Sequence, residues 1–343
     1  LTITKVELTV TAQDKSKAYD GDVFSPFTVV YTGFANEENA SVVSGTVTYE
    51  GTAATAVNAG TYTITPVVTG LTATNYTFAP ANGTLTITKV ELTVTAQDKS
   101  KAYDGSVYNP FSVTYTGFVN GENASVVLGD VTYEGSAATA VDAGTYTITP
   151  VVTGLTATNY TFAATNGTLT ITKVALTVTA DDQDKFYDGI EFSPFSATYT
   201  GFVNGEDESV IGGTVTYTGN AATAVNAGTY TITPVVTGLT ATNYTFTPAN
   251  GTLIINKVEL TVTADNQSKI YDGSPFTAFT STMEGFVAGD DETDVSGTVT
   301  YTGEATTATG IGGPYTITPV VTGLSATNYT FTPADGVLTI TEE

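Results

Sequence analysis

The sequence Lys17-Ala18-Tyr19-Asp20-Gly21 decides the organisation of this chain of 343 residues, because its pattern Lys-x-Tyr-Asp-Gly returns three more times. The tyrosines of the four motifs are spaced 84 residues apart, at Tyr19, Tyr103, Tyr187 and Tyr271. A second motif, Asn-Tyr-Thr-Phe, keeps nearly the same spacing and begins at Asn75, Asn159, Asn243 and Asn328. The pattern therefore predicts four copies of one unit.

The repeat also predicts the domain boundaries. Residues 1–4 match the end of a unit, so we interpret them as the last strand of a preceding repeat. The four units are then repeat 1 (5–88), repeat 2 (89–172), repeat 3 (173–256) and repeat 4 (257–343). Repeat 4 is atypical, since Gly312-Gly313-Pro314-Tyr315 replaces Ala59-Gly60-Thr61-Tyr62 after a one-residue insertion. Units of this size can bury a small core of their own.

Composition and patterning favour strands over helices. Val, Tyr, Phe, Ile and Leu stand among abundant Thr and Gly, which is the composition of strands. Residues 6–12 and 61–65 alternate apolar and polar side chains, and only residues 36–43 are helix-like, with an Asn as candidate N-cap. About six short strands per unit predict an all-β protein. We expect four tandem immunoglobulin-like (Greek-key) β-sandwich domains in a linear rod, with β-grasp-like units as the alternative.

The boundary between units contains no linker. Leu85 and Ile87 occupy odd positions, whereas Leu92 and Val94 occupy even positions, so the apolar phase changes around Lys89. A shift of one residue turns every side chain of a strand to the opposite face. We therefore expect the last strand of one unit to run directly into the first strand of the next, and the array to be stiff.

The charge and the missing residue types exclude several functions. Ten Lys and 34 acidic residues give a net charge of −24, and the chain has no Cys and no His. A polyanion without a basic stripe is a poor ligand for nucleic acid, and no apolar run is long enough to insert this segment into a membrane. Without Cys and His, the commonest general base, zinc ligands and a strong nucleophile are absent. We predict a protein that is not an enzyme and whose repeats contact their neighbours in the same chain.

The repeated motif is the first candidate for a functional site. Lys, Tyr and Asp occur in catalytic sites, but here they lie in one polar turn without an oxyanion donor or a partner base nearby in the sequence. Asp-Gly is a turn dipeptide, so we interpret the motif as a structural corner beside each boundary and assign no catalytic or cofactor-binding residue. The motif residues are Lys17, Tyr19, Asp20, Gly21, Lys101, Tyr103, Asp104, Gly105, Lys185, Tyr187, Asp188, Gly189, Lys269, Tyr271, Asp272 and Gly273.

Two acidic clusters are the main candidates for metal binding, since Ca²⁺ prefers hard oxygen ligands. Neither cluster has the spacing of an EF-hand, and repeats 1 and 2 offer only Gln13-Asp14 and Gln97-Asp98 at the place of the first one. We expect solvated acidic surface there, with a calcium site as the alternative. The residues concerned are Asp181, Asp182, Asp184, Asp290, Asp291 and Asp294.

These units resemble the MBG (mostly-β, glycine-rich) domains and the related YDG domains, which occur in tandem on large bacterial surface proteins. The resemblance covers the whole chain and rests on four motifs: Lys-x-Tyr-Asp-Gly, Gly-Phe-Val-Asn-Gly-Glu at 117–122 and 201–206, Asn-Tyr-Thr-Phe, and Gly-Thr-Leu-Thr-Ile-Thr-Lys. It implies a secreted, surface-anchored, adhesin-like protein in which such repeats serve as a spacer or stalk. The family has no catalytic residues to transfer.

Three functions stay open at this point. The first is a non-catalytic stalk or extender of an adhesin-like protein, located outside the cell on a bacterial surface. The second is a subunit of an extracellular filament, in which residues 1–4 or the C-terminal strand complete a neighbouring copy by strand exchange. The third is an adhesin module that binds a glycan or a protein through Tyr and Phe outside the core. No aromatic cluster falls outside the strand pattern, which argues against the third function. We expect the stalk, with the filament as the alternative.

Overall fold

The computed structural model describes residues 1–287 and 289–343. In this part of the chain the four repeats contain nearly the same series of short strands and 3₁₀ helices. The chain divides into two compact units, Leu1–Thr172 and Lys173–Glu343, and each of these units holds two repeats.

The strands are short and follow one another in the same order in every repeat. Repeat 1 contains β1 (Val6–Ala12), β2 (Lys15–Ala18), β3 (Val29–Thr32), β4 (Ser44–Gly45), β5 (Thr48–Glu50), β6 (Gly60–Val67), β7 (Leu71–Thr72), β8 (Tyr76–Ala81) and β9 (Gly83–Thr88). Repeat 2 contains β10 (Val90–Ala96), β11 (Lys99–Ala102), β12 (Val113–Thr116), β13 (Thr132–Glu134), β14 (Gly144–Val151), β15 (Tyr160–Thr165) and β16 (Gly167–Thr172).

Repeats 3 and 4 have the same seven strands as repeat 2. Those of repeat 3 are β17 (Val174–Ala180), β18 (Gln183–Phe186), β19 (Ala197–Thr200), β20 (Thr216–Thr218), β21 (Gly228–Val235), β22 (Tyr244–Ala249) and β23 (Gly251–Asn256). Those of repeat 4 are β24 (Val258–Ala264), β25 (Gln267–Ile270), β26 (Ser281–Glu284), β27 (Thr300–Thr302), β28 (Gly312–Val320), β29 (Tyr329–Ala334) and β30 (Gly336–Thr341).

Two main sheets form each repeat, and in repeat 1 β4 and β7 also form a separate two-stranded antiparallel sheet. In repeat 1 the first sheet has the order β3-β1-β8, in which β1 pairs antiparallel with β3 and parallel with β8. The second sheet has the order β2-β9-β6-β5, in which β2 and β9 are parallel and the other pairs antiparallel. The other repeats show the same two orders. The first two strands of a repeat, β1 and β2, therefore lie in different sheets. The last two strands, β8 and β9, are divided between the same two sheets.

The core of each repeat lies between its two sheets. In repeat 1, Leu8 and Val10 of β1 face Ile64 of β6 and Leu85 of β9, and all four are fully buried. Burying one such side chain contributes about 1.5–3 kcal/mol, while the alternating Thr residues stay on the outer faces. The predicted all-β, immunoglobulin-like sandwich is confirmed. The β-grasp alternative is not adopted, because the helices among the described residues are 3₁₀ helices of three or four residues, too short to cover a sheet.

The helical segments are shorter and more numerous than expected. The predicted helix over residues 36–43 is a 3₁₀ helix at Ala40–Val42, and the side chain of its N-cap Asn39 accepts a hydrogen bond from the Ser41 amide. A second, unpredicted 3₁₀ helix follows in every repeat. The full set is Ala40–Val42, Thr52–Thr55, Ala124–Val126, Ser136–Thr139, Glu208–Val210, Asn220–Thr223, Glu292–Asp294 and Glu304–Thr306.

The boundary between repeats 1 and 2 has the predicted direct connection. Lys89 alone separates β9 from β10, and its ammonium group donates a hydrogen bond to the carbonyl oxygen of Ala157 at 2.7 Å. Ile87 on β9 and Leu92 on β10 are both buried and belong to one cluster. The apolar core of repeat 1 therefore continues across this boundary into repeat 2.

Candidate functional site

The Lys-x-Tyr-Asp-Gly motif closes a tight turn at the end of β2. The Lys17 ammonium forms an ion pair with Asp20 Oδ1 and donates a hydrogen bond to the carbonyl oxygen of Asp22 at 2.5 Å. The Asp20 carboxylate also accepts a hydrogen bond from the Asp22 amide at 2.9 Å. Equivalent ion pairs hold the other three turns: Lys101–Asp104, Lys185–Asp188 and Lys269–Asp272.

These contacts stabilise the charged form of the motif aspartates. The Lys101 ammonium, with hydrogen bonds from Ser106, lowers the pKa of Asp104 to about 2. Lysine and backbone donors lower the pKa values of Asp20, Asp188 and Asp272 as well. The lysine and the aspartate of each motif are therefore engaged with each other.

Tyr19 points away from this turn and into the boundary between repeats 1 and 2. Its side chain is only 4% exposed, and its ring meets the ring of Tyr160 edge to face, with centroids 5.8 Å apart and an interplanar angle of 84°. Edge-to-face packing of this kind contributes about 0.5–1.5 kcal/mol beyond area burial. Tyr160 belongs to the Asn-Tyr-Thr-Phe motif of repeat 2, so two sequence motifs of adjacent repeats meet here.

One carboxylate joins the two tyrosines. Glu122 Oε1 accepts a hydrogen bond from the Tyr19 hydroxyl at 2.9 Å, and Glu122 Oε2 accepts one from the Tyr160 hydroxyl. The Tyr160 oxygen in turn accepts a hydrogen bond from the Val119 amide at 3.2 Å. Burial, followed by the contact with Glu122, raises the pKa of both tyrosines and keeps their hydroxyls protonated as donors.

An asparagine pair makes the second polar contact across the same boundary. Asn159, which is 7% exposed, accepts a hydrogen bond from the Ala59 amide at 2.9 Å and donates one to Asn58 Oδ1 at 3.1 Å. Close by, a Cβ placed on Gly21 would lie 2.2 Å from Nδ2 of Asn120. We call the contact formed by Tyr19, Glu122, Tyr160, Asn58 and Asn159 the tyrosine joint.

The second compact unit repeats the tyrosine joint between repeats 3 and 4. Tyr187 and Tyr329 pack edge to face with centroids 5.7 Å apart, and Asp290 Oδ2 accepts hydrogen bonds from their hydroxyls at 3.0 and 2.6 Å. Burial and Asp290 raise the pKa of Tyr329 to about 12. The Asn328 side chain accepts from the Ala227 amide at 2.8 Å and donates to Asn226 at 3.1 Å. An aspartate thus takes the place of Glu122 between the two tyrosines, and it accepts both hydrogen bonds through one oxygen.

The first acidic cluster is placed on the surface of repeat 3. Asp181 accepts hydrogen bonds from the hydroxyls of Ser196 and Thr198, and Asp182 accepts one from the Thr252 amide. Asp184 lies exposed on β18. The first two carboxylates therefore brace the local backbone and neighbouring hydroxyl groups.

The residues of the second acidic cluster, Asp290, Asp291 and Asp294, make two different kinds of contact. Asp290 belongs to the tyrosine joint rather than to solvated surface, whereas Asp291 and Asp294 form a capping box around Glu292–Asp294. Within residues 1–287 and 289–343, no group of three or more acidic side chains is arranged to hold a metal ion. The calcium site at these residues stays a prediction.

The sequence identified only half of the tyrosine joint. In the sequence, the motif tyrosines indicate a corner beside each boundary, whereas Glu122, Asn159 and Tyr160 lie in motifs that indicate only the repeat. A usable signal was present: an acidic residue follows every Gly-Phe at a fixed distance, at Glu38, Glu122, Glu206 and Asp290. A carboxylate that recurs in step with a tyrosine of a polar turn indicates a partner for that tyrosine.

Immunoglobulin-like sandwiches that follow one another without a linker define a tandem-repeat protein. The MBG domain (YGX type) matches the chain four times, over residues 8–86, 92–170, 176–254 and 260–339. The chain therefore belongs to the MBG domain family, as its motifs suggested, and is an adhesin-like extracellular repeat module.

Several solved structures of tandem domains are also similar to this chain. Drosophila N-cadherin EC1-4 is 10% identical with a TM-score of 0.25, and the match covers 97% of this chain and 100% of that one. Sidekick-1 immunoglobulin domains 1-5 are 11% identical with a TM-score of 0.24, covering 96% and 79%. The I9-I11 tandem of titin is 11% identical with a TM-score of 0.20, covering 72% and 98%.

No curated protein matches the sequence at a significant level. In the described part of the chain, no helix has the length and apolar character that a membrane crossing requires.

Proposed function

We propose that this chain is a non-catalytic stalk, or extender segment, of a large adhesin-like protein on a bacterial cell surface. Membership of the MBG family supports an extracellular, adhesin-like module. The observation that carries the stalk role is the tyrosine joint, which ties repeat 1 to repeat 2 and repeat 3 to repeat 4. Such a role requires that a repeat hold its neighbour at a fixed angle.

The chemistry of the tyrosine joint suits this mechanical role. A hydrogen bond to a charged group contributes about 1.5–3 kcal/mol, and the Glu122 carboxylate accepts two of them from different repeats. The connection through Lys89 leaves no flexible residues to absorb a change of angle. Bending this boundary would expose the Tyr19 and Tyr160 rings and break the hydrogen bonds to Glu122.

The motif residues also support a non-catalytic role. Lys17 and Asp20 neutralise each other in the turn, and Tyr19 is buried against Tyr160. Burial raises the pKa of Tyr19, whereas an activated nucleophile or general base needs a pKa shifted toward neutral pH.

The aromatic residues favour packing over glycan binding. Phe27 lies between Phe24 and Tyr49 with ring centroids 5.4 and 5.3 Å away, and all three pack against the core of repeat 1. Equivalent triads occur at Tyr108, Phe111 and Tyr133, at Phe192, Phe195 and Tyr217, and at Phe276, Phe279 and Tyr301. Their rings are tilted against one another and do not form a flat platform for a sugar.

Single-molecule energy transfer tests the stalk role directly. Dyes on the outer strands of repeats 1 and 2 of the full chain should report one narrow distance distribution. Glu122→Ala should broaden it, because both tyrosine hydroxyls lose their common acceptor. Glu134→Ala, which changes an exposed glutamate of the same repeat, should leave it narrow. A broad distribution in the unmodified chain would contradict the stalk.

A further inference from the structure

We propose that each repeat resists tension along the chain through two pairs of parallel strands that are loaded in shear. In repeat 2 these pairs are β10 with β15 and β11 with β16, and we call the two pairs of a repeat its parallel clamp. The stalk role supplies the direction of the force, so the inference rests on the proposed function in that respect alone. It adds to the stalk a resistance to forced unfolding that every repeat provides by itself.

The chain enters and leaves a repeat through two segments that lie side by side. In repeat 2 the entry segment is 90–102, with β10 and β11, and the exit segment is 160–172, with β15 and β16. β10 pairs with β15 over six residues and β11 pairs with β16 over four, always in parallel. The other three repeats have the same two parallel pairs.

Both segments keep one direction as they pass from one sheet to the other. Asn166 alone separates β15 from β16. A tight hairpin needs two or more loop residues, so the chain does not reverse there. β10 and β11 are parallel to these two strands and therefore also run in one common direction.

The two parts of the clamp are tied together where the segments change sheet. A Cβ placed on Gly167 would lie 2.5 Å from the carbonyl oxygen of Ala96, so the start of β16 lies against the end of β10. Asp98, between β10 and β11, accepts a hydrogen bond from the Thr168 amide at 2.7 Å. The contact between the entry and exit segments therefore continues through this point.

Tension acts on the clamp along its strands. A force on the ends of repeat 2 pulls the entry segment back toward residue 89 and the exit segment forward toward residue 173. Parallel partners that are pulled in opposite directions must slide past each other, so their evenly spaced hydrogen bonds share the load. A force applied across the strands would instead break the same bonds one after another, at a lower force.

The clamps of repeats 1 and 2 follow each other almost without a gap. The Tyr19 amide donates a hydrogen bond to the carbonyl oxygen of Thr88 at 2.9 Å, which extends the first clamp to the end of β9. The Val90 amide donates one to the carbonyl oxygen of Asn159 at 3.0 Å, which begins the second clamp. Tension passes from one clamp to the next through the single residue Lys89.

The apolar core covers one side of the clamp. Leu92 and Val94 on β10 and Leu169 on β16 are fully buried, and Ile171 is 2% exposed. A hydrogen bond beside such a core is electrostatically stronger than one in water. Water therefore has little access to the clamp from this side while the strands are under load.

The sequence shows which amide groups of the exit segment belong to the clamp. In a parallel ladder the residues of a strand turn alternately toward and away from a given neighbour. Because the Asn159 carbonyl faces β10, the Ala163 amide faces β10 and the Ala164 amide faces away. Three repeats have a proline at the position of Ala164, which removes no clamp bond: Pro80, Pro248 and Pro333.

Force spectroscopy of the full chain tests the proposal. The chain has no Cys, so two introduced cysteines define where the force is applied. Glu91→Cys with Thr172→Cys loads repeat 2 along its clamp. Glu91→Cys with Thr161→Cys pulls two paired, exposed residues apart across the strands. We expect the first pair to require a peak unfolding force several times that of the second, and equal forces would overturn the proposal.

Two proline variants give a matched control under the first pair of cysteines. Ala163→Pro removes a clamp hydrogen bond and should lower the peak force of repeat 2. Ala164→Pro should leave it unchanged, and equal effects of the two prolines would also overturn the proposal. If Ala163→Pro shows no unfolding event, the comparison of the two cysteine pairs decides. A broad energy-transfer distance distribution would contradict the stalk without changing the difference between these forces, so the two failures are distinguishable.

Discussion

Tyr19 and Tyr160 lie in different repeats, yet their rings meet edge to face and their hydroxyls bind the two oxygens of one carboxylate, Glu122. Apolar contact and charge-assisted hydrogen bonding therefore act at the same place. Residues that look like an isolated polar turn and an isolated strand in the sequence form one small core across the boundary between domains.

Removing the Tyr19 side chain should destabilise repeats 1 and 2. Tyr19→Ala should lower the free energy of unfolding by about 3–5 kcal/mol, the range for deleting a buried aromatic ring. Tyr19→Phe, which loses only the hydrogen bond to Glu122, should cost about 1.5–3 kcal/mol. Hydrogen exchange of β9 and β10 measures both. Tyr271→Phe is the control, since that side chain is half exposed, and an equal loss there would contradict the burial argument.

Asn159→Ala should weaken the contact between repeats 1 and 2, because Asn159 binds the backbone and a side chain of repeat 1. The Ala59 amide loses its acceptor, and Asn58 loses a donor. A hydrogen bond of this kind contributes about 0.5–1.5 kcal/mol, and guanidinium unfolding followed by tyrosine fluorescence should show the loss. Asn75→Ala removes the exposed counterpart in repeat 1. Equal midpoint shifts for the two variants would show that the cross-boundary contact has no effect.

Alanine substitutions at two motif glycines distinguish the cost of backbone strain from the cost of a steric clash with the next repeat. Gly21 and Gly273 have φ values of +85° and +74°, so an alanine at either position carries the left-handed penalty of about 1–2 kcal/mol. Only Gly21→Ala also pushes a methyl group into Asn120. Thermal unfolding should therefore show a larger loss for Gly21→Ala than for Gly273→Ala. The reverse order would mean that repeat 2 does not approach this turn.

The tyrosine joints should open at high pH. Burial and a neighbouring carboxylate raise the pKa of Tyr19, Tyr160 and Tyr187, and that of Tyr329 to about 12, from an ordinary value of 10.0. Because the unfolded tyrosines ionise first, the stabilisation is complete below pH 10 and is lost as the pH rises toward 12. Unfolding midpoints measured across this window should fall. Tyr329→Phe should make the unfolding midpoint fall less steeply with pH. If the midpoint falls as steeply as in the unmodified chain, ionisation of Tyr329 is not its cause.

Acid should open the motif turns. Lys101 and Ser106 lower the pKa of Asp104 from 3.8 to about 2. The stabilisation from this contact is therefore present above pH 3.8 and is lost as the pH falls toward 2. Hydrogen exchange of residues 101–106 should speed up over this range. Asp104→Asn should remove this increase in exchange rate at low pH, whereas Glu134→Gln should keep it. An increase that persists in Asp104→Asn would show that another group is responsible.

The repeat, the strand alternation and the direct connection at Lys89 were all readable in the sequence, because each depends on a local pattern. β2 was not, since Lys15–Ala18 is a polar edge strand held by backbone pairing with β9. Edge strands need no apolar face, so alternation does not reveal them.

The carboxylate that binds the motif tyrosine could not be predicted from local sequence patterns, for a different physical reason. Glu122 lies in a polar turn that reads as solvated, and only the fold of two adjacent repeats brings it to Tyr19. The same holds for Asp290, which the sequence places in an acidic surface cluster and the fold places between Tyr187 and Tyr329. Contacts between residues so far apart in the chain become visible once both sandwiches are built.

Each repeat has its motif tyrosine at one end and a carboxylate at the other. In both tyrosine joints, the tyrosine end of one repeat meets the carboxylate end of the next. Recombination that inserts or deletes a whole repeat would bring together the same two ends, and no new contact would have to evolve. The joint between repeats 3 and 4 has the shorter Asp290 in place of a glutamate, and both tyrosines still bind its carboxylate. The number of repeats, and with it the reach of the molecule, can therefore change within a lineage in steps of one domain.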